Sequence, residues 1–176
     1  MGIKIIGVGK NLPERIVTND EMAQYIDTDN EWIMERTGIA QRHVATTEKS
    51  LDMAAAAAEE ALEGIDKDTI DLVIVATVTP DDITPNMSSQ VKKAVGLPNA
   101  AAFDINAACS GFVYGLWIAE SLMKGSAAGG SATNGMKRAL VIGTERMTRI
   151  TNWVDRGTCI LLTMWTGLCR IRPMAE

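Results

Sequence analysis

The residue best placed for covalent chemistry is Cys109, in the segment 104–112, where an apolar strand passes through small residues into an apolar helix. A thiol at a helix N-terminus faces unpaired backbone N–H groups and the positive end of the helix dipole, which favour the thiolate. The same N–H groups can stabilise the oxyanion that forms when a thioester is attacked. The pattern predicts a nucleophile with room for an acyl group. The alternative, a small buried hydrophobic residue, stays open here because unpaired cysteines are commonly of that kind.

Other motifs that could bind a ligand or a metal, or form disulfides, are weaker. Cys159 and Cys169 bring the cysteine count to three, without a Cys-x-x-Cys pair, so neither a disulfide framework nor a zinc site is indicated. Gly7 and Gly9 follow a short strand as in a dinucleotide-binding loop, but Leu12 stands where the third glycine belongs. The sequence therefore offers no nucleotide loop and no metal site.

Alternating strands and helices are predicted to position the cysteine. The apolar runs 70–76 and 100–105 predict strands covered on both faces, as in a parallel sheet. The fold expected from this alternation is an α/β structure built on a parallel sheet. Further strands are predicted at 3–8, 139–143 and 157–162, and helices at 32–36 (capped at Thr28 and ended by Gly38), 50–62, 85–95, 109–123 and around Met22, Tyr25 and Ile26.

Two segments interrupt this order. Residues 125–135 have the glycine and serine content of a flexible insertion. Residues 163–176 show neither helical nor strand periodicity and receive no predicted element. The predicted organisation is one domain over 1–162, followed by a tail over 163–176.

Charge and composition exclude several classes of function. The net charge of -5 is spread along the 176 residues, and no basic run indicates binding to nucleic acid or to a membrane surface. No apolar run approaches the roughly 18 residues of a membrane helix, and the N-terminal run is too short for a signal peptide. A cytoplasmic α/β protein is expected.

Several segments together resemble one family. Residues 106–112, Asn-Ala-Ala-Cys-Ser-Gly-Phe, are similar to the active-site motif of the synthase III branch of the thiolase-like superfamily. Residues 28–33, leading into Arg-Thr-Gly-Ile at 36–39, match one of its most specific signatures. Arg-His at 42–43 belongs to the same signature, and further matches lie at 7–9, 12–13, 79–81, 85, 137–143 and 155–158, so the likeness spans about 3–161 apart from the predicted insertion. The chain resembles the N-terminal half of a 3-oxoacyl-(acyl-carrier-protein) synthase III. This implies a thiolase-like half-domain over 1–162, with a layered α/β fold and a mixed, mostly parallel sheet.

The resemblance implies an activity. The family begins fatty-acid or polyketide chains by condensing a short acyl-CoA with malonyl-acyl carrier protein, releasing CoA and carbon dioxide, and it is expected to form homodimers. Cys109 would accept the acyl group. Trp32 would stack on the adenine of CoA, with Arg36 and Arg156 nearby and Thr28 lining the same site. No cofactor is implied, because the CoA thioester is a substrate. Without the resemblance, the residue types alone predict that Trp32 is a core residue and that Arg36 and Arg156 are solvated.

The resemblance also implies that groups are missing. The family takes its base and its decarboxylation site from a histidine and an asparagine of the C-terminal half, and His43 is expected to be structural. Residues 162–167 replace a glycine-rich segment of the family, so a reading-frame change or a designed truncation is expected. Such a chain should expose apolar surface along the Cys109 helix, associate with itself and lack condensation activity.

Two alternative functions remain open on the sequence. One is a non-catalytic paralogue that binds CoA or caps a full-length partner. The other is a related condensing enzyme, of the hydroxymethylglutaryl-CoA synthase or polyketide-starter type, which would keep the cysteine and change the acyl acceptor.

Overall fold

The central element is a five-stranded mixed sheet. The computed structural model describes residues 3–127, 135–161 and 165–173. The sheet has the order β1-β7-β6-β4-β5, in which β4 pairs parallel with β5 and β6 while β7 pairs antiparallel with β1 and β6. Its strands are β1 (Ile3–Lys10), β4 (Leu72–Ala76), β5 (Ala101–Ile105), β6 (Ala139–Glu145) and β7 (Trp165–Pro173), and β2 (Ile16–Thr18) pairs separately with β3 (Gln41–His43). Within the five-stranded sheet every strand except β7 runs in one direction, so the mixed, mostly parallel sheet is confirmed.

Helices cover both faces of this sheet. On one face, α3 and α4 pack against Val73 and Val75 of β4. On the other, α5 packs against Leu72 and Ile74 of the same strand. Since burying such a side chain contributes about 1.5–3 kcal/mol, the unbroken apolar run of β4 is explained by contacts on both sides. The helices are α1 (Asn19–Met22), α2 (Asn30–Thr37), α3 (Ser50–Ala61), α4 (Met87–Ala94), α5 (Gly111–Ala127) and α6 (Arg156–Cys159).

The outer face of α5 carries exposed apolar side chains, as expected for the Cys109 helix. Val113 is 63% exposed, Tyr114 48% and Trp117 66%. Aromatic and branched side chains that share one helix face and lie in water are typical of an interaction surface.

The segment 157–162 was predicted as a strand. That prediction is wrong for residues 157–161, and residue 162 lies outside the described residues. Residues 156–159 form α6, a single helical turn. The Asp155 carboxylate accepts hydrogen bonds from the Gly157 N–H at 3.0 Å and from the Thr158 hydroxyl at 2.7 Å. Such capping satisfies N–H groups that a strand would have to pair elsewhere, and it outweighs the strand propensity of the residues that follow.

The tail, for which no element was predicted, supplies a strand within residues 165–173. β7 pairs with β1 from Lys10↔Gly167 to Ile3↔Pro173, and with β6 from Glu145↔Trp165 to Ala139↔Ile171. Backbone pairing on both edges does not require side-chain alternation, so a periodicity search misses a strand of this kind. Within the predicted insertion 125–135, residues 125–127 end α5, and 128–134 lie outside the described residues.

Helix α1 is shorter than predicted. It ends at Met22, although Met22 and Ile26 both remain buried. The N–H groups of Tyr25 and Ile26 both donate to the Met22 carbonyl, at 2.9 and 3.1 Å, which turns the chain after one helical turn.

Gly9 sets the distance between β1 and α3. The sequence predicted a strand that ends before Gly9, whereas Gly9 lies inside β1. A Cβ at Gly9 would lie 2.1 Å from the carbonyl oxygen of Ala57 and 2.8 Å from the nitrogen of Ala61. Both atoms belong to the backbone of α3, so only glycine permits this approach.

We expect Gly9→Ala to lower the free energy of unfolding by at least about 1–3 kcal/mol, because α3 must move away from the sheet. Urea denaturation measures this loss. Gly125→Ala on α5 is the control, since a Cβ there meets nothing within 4 Å, and it should leave stability equal or raise it by up to about 1 kcal/mol. Equal midpoints for Gly9→Ala and the unmodified chain would contradict the packing described.

Candidate active site

Cys109 lies in a tight turn between β5 and α5. Residues 108–110 form a 3-10 turn, and the α-helix begins at Gly111, so the cysteine precedes the helix and is not part of it. Ala108 has a φ of 45°, a left-handed conformation that costs a residue with a Cβ roughly 1–2 kcal/mol. The thiol is exposed. A strained turn that presents an exposed thiol is typical of a reactive position and not of a buried core cysteine.

An apolar cavity of about 260 Å³ adjoins this thiol. It lies at the carboxyl ends of β4 and β6, the edge where ligands bind in open α/β sheets. Its volume is below the range typical of drug-sized ligands, which suits a short acyl group. The lining residues are Ala76, Val78, Ala108, Cys109, Phe112, Gly143, Thr144, Glu145, Met147 and Leu161.

Glycines bring the start of α5 close to the sheet beneath the cavity. A Cβ at Gly111 would lie 3.0 Å from the Cβ of Ala76, and one at Gly115 would lie 2.9 Å from Cγ1 of Val141. The small residues around the cysteine thus fix the position of its turn against β4 and β6.

A second cluster brings together three of the predicted coenzyme-binding residues. The guanidinium carbon of Arg36 lies 4.2 Å from the ring centre of Trp32, and that of Arg156 lies 4.4 Å from it. Arg156 also donates to the carbonyl of Asp27 at 2.9 Å, and Arg36 to that of Trp32 at 3.2 Å. Residues 120 positions apart in the chain therefore meet around one indole ring, where guanidinium groups are held by cation–π attraction.

Thr28 lies beside this cluster, but it is not the helix cap that the sequence predicted. Asp29 caps α2 by accepting from the Trp32 N–H at 2.7 Å. Gly38 ends the helix with a φ of 69°, as predicted. The Thr28 hydroxyl is buried and finds no hydrogen-bond partner among the described residues. A buried hydroxyl without a partner costs roughly 1–3 kcal/mol, a cost that a bound polar ligand would relieve.

A buried guanidinium is bonded to Met22 of the apolar cluster against which Trp32 packs, and the sequence did not reveal it. Arg42 is 1% exposed and donates to Met22 Sδ and, at 3.1 Å, to Asn19 Oδ1. Burial lowers the pKa of Arg42, and the nearby Cys159 opposes this effect. The apolar layer beneath Trp32 consists of buried side chains, and Trp32, Val44 and Trp153 pack against it. Its members are Val17, Met22, Ile26, Ile33, Cys159 and Ile160.

The described cysteines are expected to differ in reactivity. Cys159 is fully buried, and burial raises the pKa of its thiol, while Arg42 partly offsets the rise. Cys109 is exposed. With iodoacetamide at neutral pH, Cys109 should be modified at least about a hundredfold faster than Cys159, since alkylation requires an accessible thiolate. Time-resolved peptide mass mapping measures both rates, and comparable rates would contradict the assignment of the exposed thiol.

His43, the single histidine of the chain, lies on β3 and does not line the cavity. Its Nδ1 is 2.6 Å from the carbonyl oxygen of Pro13, a contact that fixes the loop before β2. This geometry agrees with the structural role expected for it. Over the described parts of the chain, no helix has the length and apolar character needed to cross a membrane.

Comparison with known sequences gives one consistent relationship. The family model for 3-oxoacyl-[acyl-carrier-protein (ACP)] synthase III matches residues 103–163, which include the Cys109 turn. The β-ketoacyl-[acyl-carrier-protein] synthase III of Ehrlichia canis is 49% identical over 98% of this chain and 52% of its own length. That of Clostridium acetobutylicum is 44% identical over 97% of this chain and 50% of its own length. The chain spans about half the length of the curated relatives it matches.

Solved structures agree with the sequence matches. The 3-oxoacyl-[acyl-carrier-protein] synthase III of Aquifex aeolicus superposes with a TM-score of 0.91 at 38% identity, covering 99% of this chain and 55% of that one. The priming β-ketosynthase of the R1128 polyketide pathway superposes with a TM-score of 0.89 at 36% identity, covering 98% and 50%. The thiolase-like α/β fold is thereby confirmed. The chain is similar to 3-oxoacyl-[acyl-carrier-protein] synthase III proteins over about half of their length.

Proposed function

We propose that this chain accepts an acyl group from coenzyme A on Cys109, as the loading step of a condensation that begins fatty-acid synthesis. The full reaction joins an acyl-CoA to malonyl-acyl carrier protein and yields 3-oxoacyl-acyl carrier protein, CoA and carbon dioxide. The observation that carries the proposal is the exposed Cys109 thiol in a left-handed turn at the mouth of a small apolar cavity.

The loading step is a transfer between two sulfurs. The Cys109 thiolate attacks the thioester carbonyl, a carbon–sulfur bond forms, and the bond to the sulfur of CoA breaks. The departing CoA thiolate takes up a proton from water. The apolar cavity beside Cys109 would receive the acyl chain and exclude water from the new thioester.

The Trp32 cluster would hold the coenzyme. An indole ring offers a stacking face to adenine, and guanidinium groups can pair with phosphate or stack on the purine. Arg36 and Arg156 are exposed, and the buried Thr28 hydroxyl has no hydrogen-bond partner within the described part of the chain. These residues combine a flat apolar face with positive charge, which is the chemistry that a nucleotide diphosphate requires.

Condensation needs further groups that stabilise the carbanion formed as carbon dioxide leaves. His43 is bonded to Pro13 and stands apart from the cavity, so we propose that these 176 residues alone load an acyl group without condensing it. For the full activity, acyl-CoA and malonyl-acyl carrier protein would be the partners. The active assembly would be a cytoplasmic homodimer.

The experiment is a two-stage assay of the purified chain. Incubation with acetyl-CoA should release up to one CoA per chain and leave one acetyl group on the protein. Malonyl-acyl carrier protein, added next, should give no 3-oxoacyl product. No release of CoA would reject the loading proposal, and formation of 3-oxoacyl product would reject the restriction to loading. Tight CoA binding without acetylation would favour a non-catalytic CoA-binding role, which the intact Trp32 cluster permits.

A further inference from the structure

The carboxylate of Glu145 ties two walls of the Cys109 cavity together. Glu145 ends β6, and its Oε1 accepts from the Val78 N–H at 2.8 Å. Its Oε2 accepts from the Thr79 N–H at 3.1 Å and from the Thr79 hydroxyl. Val78 and Glu145 both line the cavity. The segment that follows β4 is therefore attached to β6 through one side chain.

Thr79 extends this attachment to the first turn of α3. Its hydroxyl oxygen accepts from the Arg146 N–H at 2.8 Å, and its carbonyl accepts from the Ser50 hydroxyl at 3.3 Å. Thr79 is 4% exposed. Because both carboxylate oxygens of Glu145 already accept hydrogen bonds, this side chain is suited to holding the wall and not to taking a proton from a substrate.

We infer that Glu145 is a positioning residue that sets the shape of the acyl cavity by holding Val78 in its wall. The inference deepens the proposed function and rests on it, since the cavity is the one assigned to the acyl group. The Val78 N–H donates to Glu145 Oε1, and the Thr79 N–H lies within hydrogen-bonding distance of both Glu145 Oε2 and, at 3.1 Å, Thr77 Oγ1. Glutamine in place of Glu145 would place its NH₂ group either toward the Val78 N–H or toward the Thr79 N–H and hydroxyl, so the Val78–Thr79 segment would have to adjust.

The test compares alkylation of Cys109 by iodoacetamide and by N-butyliodoacetamide, which probes the cavity without acyl transfer. The unmodified chain should react at least about tenfold faster with the butyl reagent, because burying each methylene in an apolar cavity is favourable. Glu145→Gln should lower this preference at least about fivefold while the rate with iodoacetamide changes less than about twofold. Glu59→Gln is the matched control, since Glu59 pairs only with the exposed Lys67 among the described residues, and it should keep the full preference.

Thr79→Val provides a second variant of the same wall. It removes the hydroxyl that bonds Glu145 and Arg146 and keeps the shape of the side chain, so the butyl preference should fall about two- to threefold. If Glu145→Gln does not fold, as judged by its melting transition, Thr79→Val decides the question. An unchanged preference in the variants that fold would overturn the inference. If Cys109 is alkylated with a butyl preference but is not acetylated by acetyl-CoA, the proposed function is rejected. The alkylation rates of the variants still decide whether Glu145 shapes the cavity.

Discussion

Replacing Cys109 by serine is expected to reduce acylation by acetyl-CoA at least about a thousandfold, the scale seen when a catalytic nucleophile is removed. The serine hydroxyl would keep the place of the thiol in the turn but would not ionise near neutral pH. Among the described residues that line the cavity, Glu145 is the only acidic or basic side chain other than the thiol, and it is already hydrogen-bonded. Within this set no base is free to activate the hydroxyl. Transfer of labelled acetyl groups to the protein gives the initial rate.

The control for this variant is Cys159→Ala. Cys159 is buried in the apolar layer beneath Trp32 and does not line the Cys109 cavity. It should retain acylation within a fewfold of the unmodified rate, with a lower melting temperature because a buried side chain has been shortened. Equal acylation of Cys109→Ser and the unmodified chain would mean that another residue carries the acyl group.

Replacing Trp32 by alanine is expected to weaken the use of acetyl-CoA selectively. Stacking of a base on an aromatic side chain is worth roughly 1–3 kcal/mol, which corresponds to about a 5- to 150-fold loss in the second-order rate constant for acylation by acetyl-CoA. The acetyl thioester of N-acetylcysteamine lacks the adenine and the phosphates, so its reaction with Cys109 should change less than about threefold. The ratio of the two rates separates coenzyme binding from the chemistry at the thiol.

Trp117→Ala is the matched control for the tryptophan. Trp117 is 66% exposed on α5, so its removal should leave the ratio unchanged. A parallel loss with both thioesters in Trp32→Ala would show that Trp32 acts as a core residue, the alternative that the sequence left open. Arg156→Ala should also lower the rate with acetyl-CoA relative to the rate with the N-acetylcysteamine thioester, since the Arg156 guanidinium lies over the same ring.

The sequence predicted the structure correctly where interactions between residues close together in the chain determine it. The apolar run of β4 predicted a strand covered on both faces, and Gly38 predicted the end of α2. The turn at Cys109 could be placed because a strand, small residues and an apolar helix follow one another. The meeting of Trp32 with Arg36 and Arg156 was expected only from the family resemblance, since no spacing rule joins positions 32 and 156.

The remaining features depend on contacts that a linear pattern does not contain. β7 is fixed by backbone pairing with β1 and β6, and α6 by a single capping carboxylate. Arg42 was unexpected because a buried guanidinium is recognised only by its neighbours. Glu145 could have been considered, since it ends a predicted strand at the edge where parallel strands place functional groups, but its partners at 78 and 79 become visible only in the folded chain.

The account depends most on acyl transfer to one thiol. Incubation of the purified chain with acetyl-CoA, followed by digestion and peptide mass spectrometry, locates every acetyl group that the protein has accepted. The account predicts one acetyl group, on the peptide containing Cys109, that hydroxylamine removes as it does a thioester. An unmodified Cys109 peptide from a folded chain, or an acetyl group on any other residue, would contradict it.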